Sequence, residues 1–271
     1  MSLFTQSHSQ RFFLSVFTII SIFGTLLVNT LSNLFPPKGL NIGEISRQLF
    51  GNVLITPAGY AFSIWGVIYV GLIVYGVYQF RSFSRRDLVL QGLNIRLIIA
   101  CFAQMAWVFL FTLQKFGLSV IAILGILIPL VSAYLTLGKQ RRSNRRWGTR
   151  HPPKFIDIPL SIYLAWISLA TIVNIACALT AADWSGWGIS PVIWTIVMII
   201  VSFILGVIAI LQRHDYAFAG VIIWAEIAIA IRHLNTLNTL PTLPLCVTAG
   251  ICALILGALV ATHKPPRRGL S

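Results

Sequence analysis

Trp166, Ala170 and Asn174 recur at intervals of four residues in one apolar stretch, and Trp65 and Tyr69 share that interval in another. A residue four positions on returns to the same helix face, so each set forms one stripe. Hydrocarbon gives no reason to put Trp, Tyr and Asn on one face. A flat, aromatic and sparsely polar stripe suits a large apolar ligand carrying a few polar groups. The bland alternative is packing: aromatics fill many intramembrane interfaces, and Asn174 and Gln104 could serve as interhelical hydrogen-bond glue worth about 0.6–2 kcal/mol each.

Glu226 offers different chemistry. It lies in the apolar run from Val221 to Ile231, with no charge in the ten residues before it. A carboxylate at that depth costs on the order of 3 kcal/mol, so it should face a partner or a water-filled cavity, or sit neutral. Its functional readings are proton coupling or contact with a cationic substrate; the alternative is a buried hydrogen bond to another helix. Arg232, six residues on, is a poor helical neighbour for it.

Other reactive residues form no constellation. His8, His151, His214, His233 and His263 are scattered through end or loop segments, without metal spacing or a nucleophile–base pair. Cys101, Cys177, Cys246 and Cys252 fall inside or at the edge of apolar runs. They show neither a zinc pattern nor a disulfide framework and read as small apolar fillers. Asp157 suits the positive end of a helix dipole. The expectation is a protein that is not an enzyme.

The elements that position these residues are membrane helices. Hydrophobic residues make up 57% of the 271 and charged ones 10%, with a mean hydropathy of +0.87. Soluble domains carry roughly 25% charged residues. Eight runs approach the ~20 apolar residues that a span requires, near 12–34, 57–80, 96–114, 117–138, 157–180, 190–212, 216–234 and 245–262. Glu226 interrupts the seventh, and Pro241 and Pro244 precede the eighth. The first run is longer than a signal-peptide core and lacks a small-x-small cleavage site, which favours a retained helix. The expected fold is an all-α polytopic membrane bundle of about eight transmembrane helices.

The net charge of +14 does not indicate nucleic acid, because its distribution follows topology. With the N-terminus inside, the inner segments hold Arg11, then Arg81, Arg85, Arg86 and Arg96, then the basic loop 139–154, Arg213, and Lys264, Arg267 and Arg268. The outer segments keep Lys38, Arg47, Lys115 and Arg232. The positive-inside rule gives this alternation for eight spans with both termini cytoplasmic. The loop 139–154 then reads as a topology determinant on anionic headgroups.

Between the first two spans, Ile42, Ile45, Leu49 and Phe50 line one face of a short amphipathic turn. That turn either closes over an opening between helices or lies on the bilayer surface. Trp184, Trp187 and Trp194 look like an interfacial belt. No clean internal repeat is visible, which weakens the case for a duplicated transporter.

The residues now resemble a family. The stretch 157–175 is similar to the fifth helix of the TspO/translocator protein family, the tryptophan-rich sensory proteins, whose pattern there is Pro-Tyr-x-x-Trp-x-x-x-Ala-x-x-Leu-Asn. Tyr163, Trp166, Ala170 and Asn174 match it, with the Pro displaced to Pro159 and Val173 in place of Leu. The family's second-helix Trp-x-x-x-Tyr pair matches Trp65 and Tyr69, entered through Pro57, Tyr60 and Phe62. Its third-helix Asn-x-x-Trp-x-x-x-Phe matches Gln104, Trp107 and Phe111, with Gln for Asn. The resemblance covers about residues 12–180 and looks like a longer branch with extra C-terminal helices.

The resemblance implies a TspO-like five-helix core over 1–180, often a homodimer, with a three-helix extension and basic tail over 181–271. It implies binding of porphyrin or haem-like molecules, sterols and synthetic aromatic ligands. Carried over by position, Trp65, Trp107, Trp166, Ala170 and Asn174 line the pocket. Tyr69, Gln104 and Tyr163 complete the candidate set, and Tyr60 and Phe62 stand at the entrance. The sterol motif of a Tyr followed by a basic residue is absent from Ile175–Thr180. The expected function is an integral membrane binding protein, sensory or trafficking, for tetrapyrrole-like or other flat amphipathic ligands. The alternative is a proton-coupled transporter of a small amphipathic or cationic substrate using Glu226. Topology puts Trp65 toward the outer end and Trp166 toward the inner half, so one pocket serves both only by running some distance through the bilayer.

Overall fold

The computed structural model describes residues 7–84, 87–147, 154–234 and 242–263. Among these it forms nine α-helices and no strand: α1 His8–Leu34, α2 Ile42–Gln48, α3 Ile64–Arg81, α4 Leu88–Thr112, α5 Phe116–Trp147, α6 Lys154–Ala181, α7 Pro191–Arg213, α8 Tyr216–Leu234 and α9 Leu243–Thr262. All except α2 belong to segments long and apolar enough to cross a membrane, eight among the described residues. The chain is therefore an integral, multi-pass, all-α membrane protein. The two doubtful runs are helical too. Pro244 stands in the first turn of α9, where its missing N–H costs no intrahelical bond.

Helix ends follow local chemistry. Ser7 and Gln10 form a reciprocal capping box at the start of α1. Asp87 caps α4 by accepting from the amides of Val89 and Leu90, at 2.9 and 3.1 Å. That cap starts the third span at Leu88 rather than 96, which corrects the placement of Arg96 in a loop. Arg96 is within α4 and donates to Ser132 Oγ and Gly92 O, each at 2.9 Å. The basic loop is also shorter than expected, since α5 runs on to Trp147. Arg85, Arg86, residues 148–153 and the tail cations Lys264, Arg267 and Arg268 lie outside the described residues, as do the side chains of 141–147 and 154–155.

The chain divides into two compact units: Met1–Ile45 with Ser63–Ile167, and Ser46–Phe62 with Ser168–Ser271. In the first unit α1 packs on α3 and α4, and α4 on α5. The contact face of α1 is its polar one. Ser15, Thr18, Ser21 and Thr25 are buried while Phe13, Phe17, Ile20 and Phe23 are exposed. Lipid tails are as apolar as the Phe side chains, so helices associate through small residues that allow close packing. The hydroxyls bond back to their own helix, as Thr18 Oγ1 does to Leu14 O at 2.8 Å. A buried chain of bonds links three spans: Tyr75 Oη donates to Asn94 Oδ1 at 2.6 Å, Asn94 Nδ2 to Gln79 Oε1 at 2.9 Å, and Gln79 Nε2 to Ser15 O at 2.9 Å.

In the second unit α7, α8 and α9 pack against one another. Ala219, Ala225 and Ala228 on α8 are fully buried, and Gly206 of α7 admits the Leu256 side chain of α9. The amphipathic turn is buried along Ile42, Ile45 and Phe50, whereas Leu49 is 43% exposed. Past the end of α2 at Gln48 the expected stripe continues through Phe50 and not through Leu49.

One close approach tests the packing. A Cβ on Gly71 would stand 3.0 Å from Pro159 Cβ and 3.4 Å from its Cα, whereas one on Gly66 meets nothing within 4 Å. The Pro159 ring cannot swing aside. Gly71→Val is expected to destabilise by about 1–3 kcal/mol, read as a lower thermal midpoint in detergent, while Gly66→Ala leaves the midpoint unchanged or higher.

Candidate functional site

The first unit gathers four aromatic rings from two helices. Trp65 and Tyr69, one turn apart on α3, stack at 5.8 Å with 26° between planes. From α6, Tyr163 and Trp166 meet Trp65 edge-on at 6.3 and 6.4 Å. The two signatures are therefore direct neighbours, so a shared site need not run far through the bilayer to reach both. Trp166 lies about 18 Å from the start of α6, whose full length of roughly 42 Å exceeds the ~30 Å hydrocarbon thickness. Trp166 thus falls in the first half of its helix, close to the middle.

Polar groups accompany the rings. Gln104 of α4 is 0% exposed, and its Oε1 accepts a long bond, 3.4 Å, from Tyr163 Oη. Gln104 Nε2 and Tyr69 Oη are buried without a hydrogen-bond partner. Native proteins rarely leave such groups unpaired. Both are donors, so their natural complement is an acceptor such as a carboxylate or carbonyl. Trp107, one turn beyond Gln104, is buried and stacks on Phe111 at 5.3 Å.

Ala170 and Asn174 belong to the second unit, where Ala170 is half-buried and Asn174 buried. Tyr60 and Phe62 belong there as well. Phe62 is half-buried, and Tyr60 packs edge-on against Trp224 of α8 at 5.2 Å.

That contact is part of an arrangement which sequence reasoning missed. The non-helical segment 51–61 is bound to α8 by its backbone. Arg232 donates through Nη1 to Val53 O at 3.0 Å and Thr56 O at 2.7 Å, and through Nη2 to Gly51 O at 2.8 Å. His233 Nε2 is 2.8 Å from Leu54 O. The Ala58 amide donates to Ala228 O at 3.1 Å and Trp224 Nε1 to Ala61 O at 3.2 Å. Irregular backbone near a membrane must find protein partners for its carbonyls, and a guanidinium fork can serve several at once. The available signal was an Arg-His pair closing an otherwise apolar span.

Glu226 is also in the second unit, on α8 and fully buried. Its Oε1 is hydrogen-bonded with Ser202 Oγ of α7, while Oε2 has no partner. Arg232, turned to the 51–56 carbonyls, is not its counter-ion. Among the described residues no group of three or more His, Cys, Asp or Glu could hold a metal ion, and the four cysteines are free.

The clamp makes its own prediction. Arg232→Ala removes the guanidinium donor from Gly51 O and Thr56 O, while Val53 O keeps the Thr56 amide and hydroxyl, and should cost on the order of 2 kcal/mol. Hydrogen exchange should accelerate across 51–61, and Arg232→Lys, lacking the fork, should restore protection only in part. Unchanged exchange in Arg232→Ala would show that the segment holds without it.

No curated protein and no solved structure matches the chain. The family model for TSPO-like protein matches residues 15–262. The match runs from the first span through the last, so it takes in the aromatic cluster, the clamped segment and the three C-terminal helices. On that match the chain belongs to the TSPO-like protein family.

Proposed function

We propose that the chain is a membrane binding protein, sensory or trafficking, for tetrapyrrole-like or other flat amphipathic molecules bearing hydrogen-bond acceptors. The observation that carries this reading is the cluster of Trp65, Tyr69, Tyr163 and Trp166 beside two buried donors, Tyr69 Oη and Gln104 Nε2, that no protein atom satisfies. Aromatic faces provide area for a flat ring system. The two donors suit an acid or carbonyl substituent, as in a porphyrin propionate. Family membership supports a membrane protein of this type, and the absent sterol motif disfavours a sterol. The same reading takes both termini as cytoplasmic from the charge distribution and the protein as a homodimer from the resemblance, and it assigns no catalysis.

A proton-coupled transporter is the second reading, favoured by Glu226 and its unpartnered oxygen. It predicts that Glu226→Gln abolishes pH-dependent uptake in vesicles while leaving binding intact.

Titration of the purified protein with protoporphyrin tests the first reading through quenching of Trp fluorescence. Trp166→Ala is expected to weaken binding about tenfold, equivalent to roughly 1.4 kcal/mol. Tyr69→Phe and Gln104→Leu should each weaken it about two- to tenfold, the range of one hydrogen bond, and Glu226→Gln should leave it unchanged. Several porphyrins giving no quenching would sink the tetrapyrrole proposal.

A further inference from the structure

Six acids occur in the whole chain, and five of them stand at helix ends or in connections. Glu44 accepts from the Asn41 amide, Asp87 and Asp215 accept from amides at the starts of α4 and α8, Asp157 lies in the first turn of α6, and Asp183 follows that helix. Glu226 alone lies in the middle of a span. Its neighbours Ser202 and Cys252 also sit mid-helix, on α7 and α9. The Cys252 thiol is close enough to interact electrostatically with the carboxyl.

The hydrogen count around Ser202 decides the state of the carboxyl. Ser202 Oγ is within hydrogen-bond reach of both Ile199 O, at 2.8 Å, and Glu226 Oε1. A hydroxyl has one proton to donate. If Glu226 is ionised, that proton goes to the carboxylate, Ile199 O loses its share, and Oε2 is left as a buried anionic oxygen with no donor. If Glu226 is protonated at Oε1, it donates to Ser202 Oγ, and Ser202 donates to Ile199 O. Both contacts are then satisfied and no charge is buried.

We propose that Glu226 is an intramembrane proton-binding site, held as a neutral acid that donates to Ser202 among α7, α8 and α9, and separate in role from the aromatic ligand site. Among the described residues no cation pairs with it. The charged and titratable groups of α8 beyond it, Arg232 and His233, are engaged with the 51–56 carbonyls. Ser202, which is uncharged, faces it from α7, and α9, packed on α7 and α8, carries the Cys252 thiol at mid-helix. The backbone of 46–62 meets α8 through the Ala58 amide at Ala228 O. The inference does not depend on the binding reading of the aromatic cluster, and it deepens the transporter reading by naming the state of Glu226 without requiring uptake.

The test is infrared spectroscopy of the full chain in lipid nanodiscs at pH 7. The expected result is a carboxylic-acid C=O band that shifts on exchange into D2O, disappears in Glu226→Gln, shifts in Ser202→Ala and declines as the pH is raised. A spectrum without that band at pH 7, or a band unchanged in both variants, overturns the proposal. If Glu226→Gln does not fold, the Ser202→Ala shift and peptide mapping on the unmodified sequence decide. A hydrophobic carbodiimide takes the acid proton on nitrogen and bonds the carboxyl oxygen at its central carbon, and acyl migration then gives a stable N-acylurea. The adduct should map to Glu226 and fall as the pH rises, whereas adducts confined to the other five carboxyls overturn the proposal.

Discussion

Within hydrocarbon there is no water to complete an unpaired donor or acceptor, and each polar group must find its partner in the protein. This constraint shapes both units. It explains why α1 turns its Ser and Thr face inward and bonds those hydroxyls back to its own carbonyls. It explains the Tyr75–Asn94–Gln79–Ser15 chain, in which each bonded side chain passes the requirement on until a backbone carbonyl ends it. It also explains the Arg232 fork on segment 51–56, which supplies Gly51 O and Thr56 O with a donor where the chain leaves helical geometry.

Against that background three of the exceptions among the described residues are informative. Tyr69 Oη, Gln104 Nε2 and Glu226 Oε2 are buried and unpartnered, and they differ in kind. The first two are donors beside aromatic faces, an arrangement that an acceptor-bearing flat molecule would complete. The third belongs to a carboxyl bonded with a serine hydroxyl, where a proton restores neutrality. Two chemistries thus occur in one chain, each within its own compact unit.

Much of the fold was legible in the sequence because spans report themselves locally. A run of apolar residues needs no tertiary information to be recognised as a span, and the i, i+4 spacing of Trp65 with Tyr69 already placed their rings together. Where a boundary depended on a cap the reading slipped, as at Asp87, which draws Arg96 into α4. Relations between distant segments were less accessible. Span counting gave each ring a place along its own span and could not see that the two spans bring Trp65 and Trp166 together. Arg232 was counted as a loop cation, since nothing near it in sequence reveals that its partners are carbonyls about 180 residues earlier. Ser202 carries no local signal at all. Its meaning comes only from Glu226 across the helix interface.

If the two unpartnered donors beside the tryptophans await a ligand's acceptors, a structure of the protein with bound protoporphyrin shows it most directly. The macrocycle is expected against Trp65 and Trp166, with an acidic substituent within hydrogen-bond distance of Tyr69 Oη and Gln104 Nε2. A porphyrin seated elsewhere, with that cluster closed and its donors still unpaired, would contradict it.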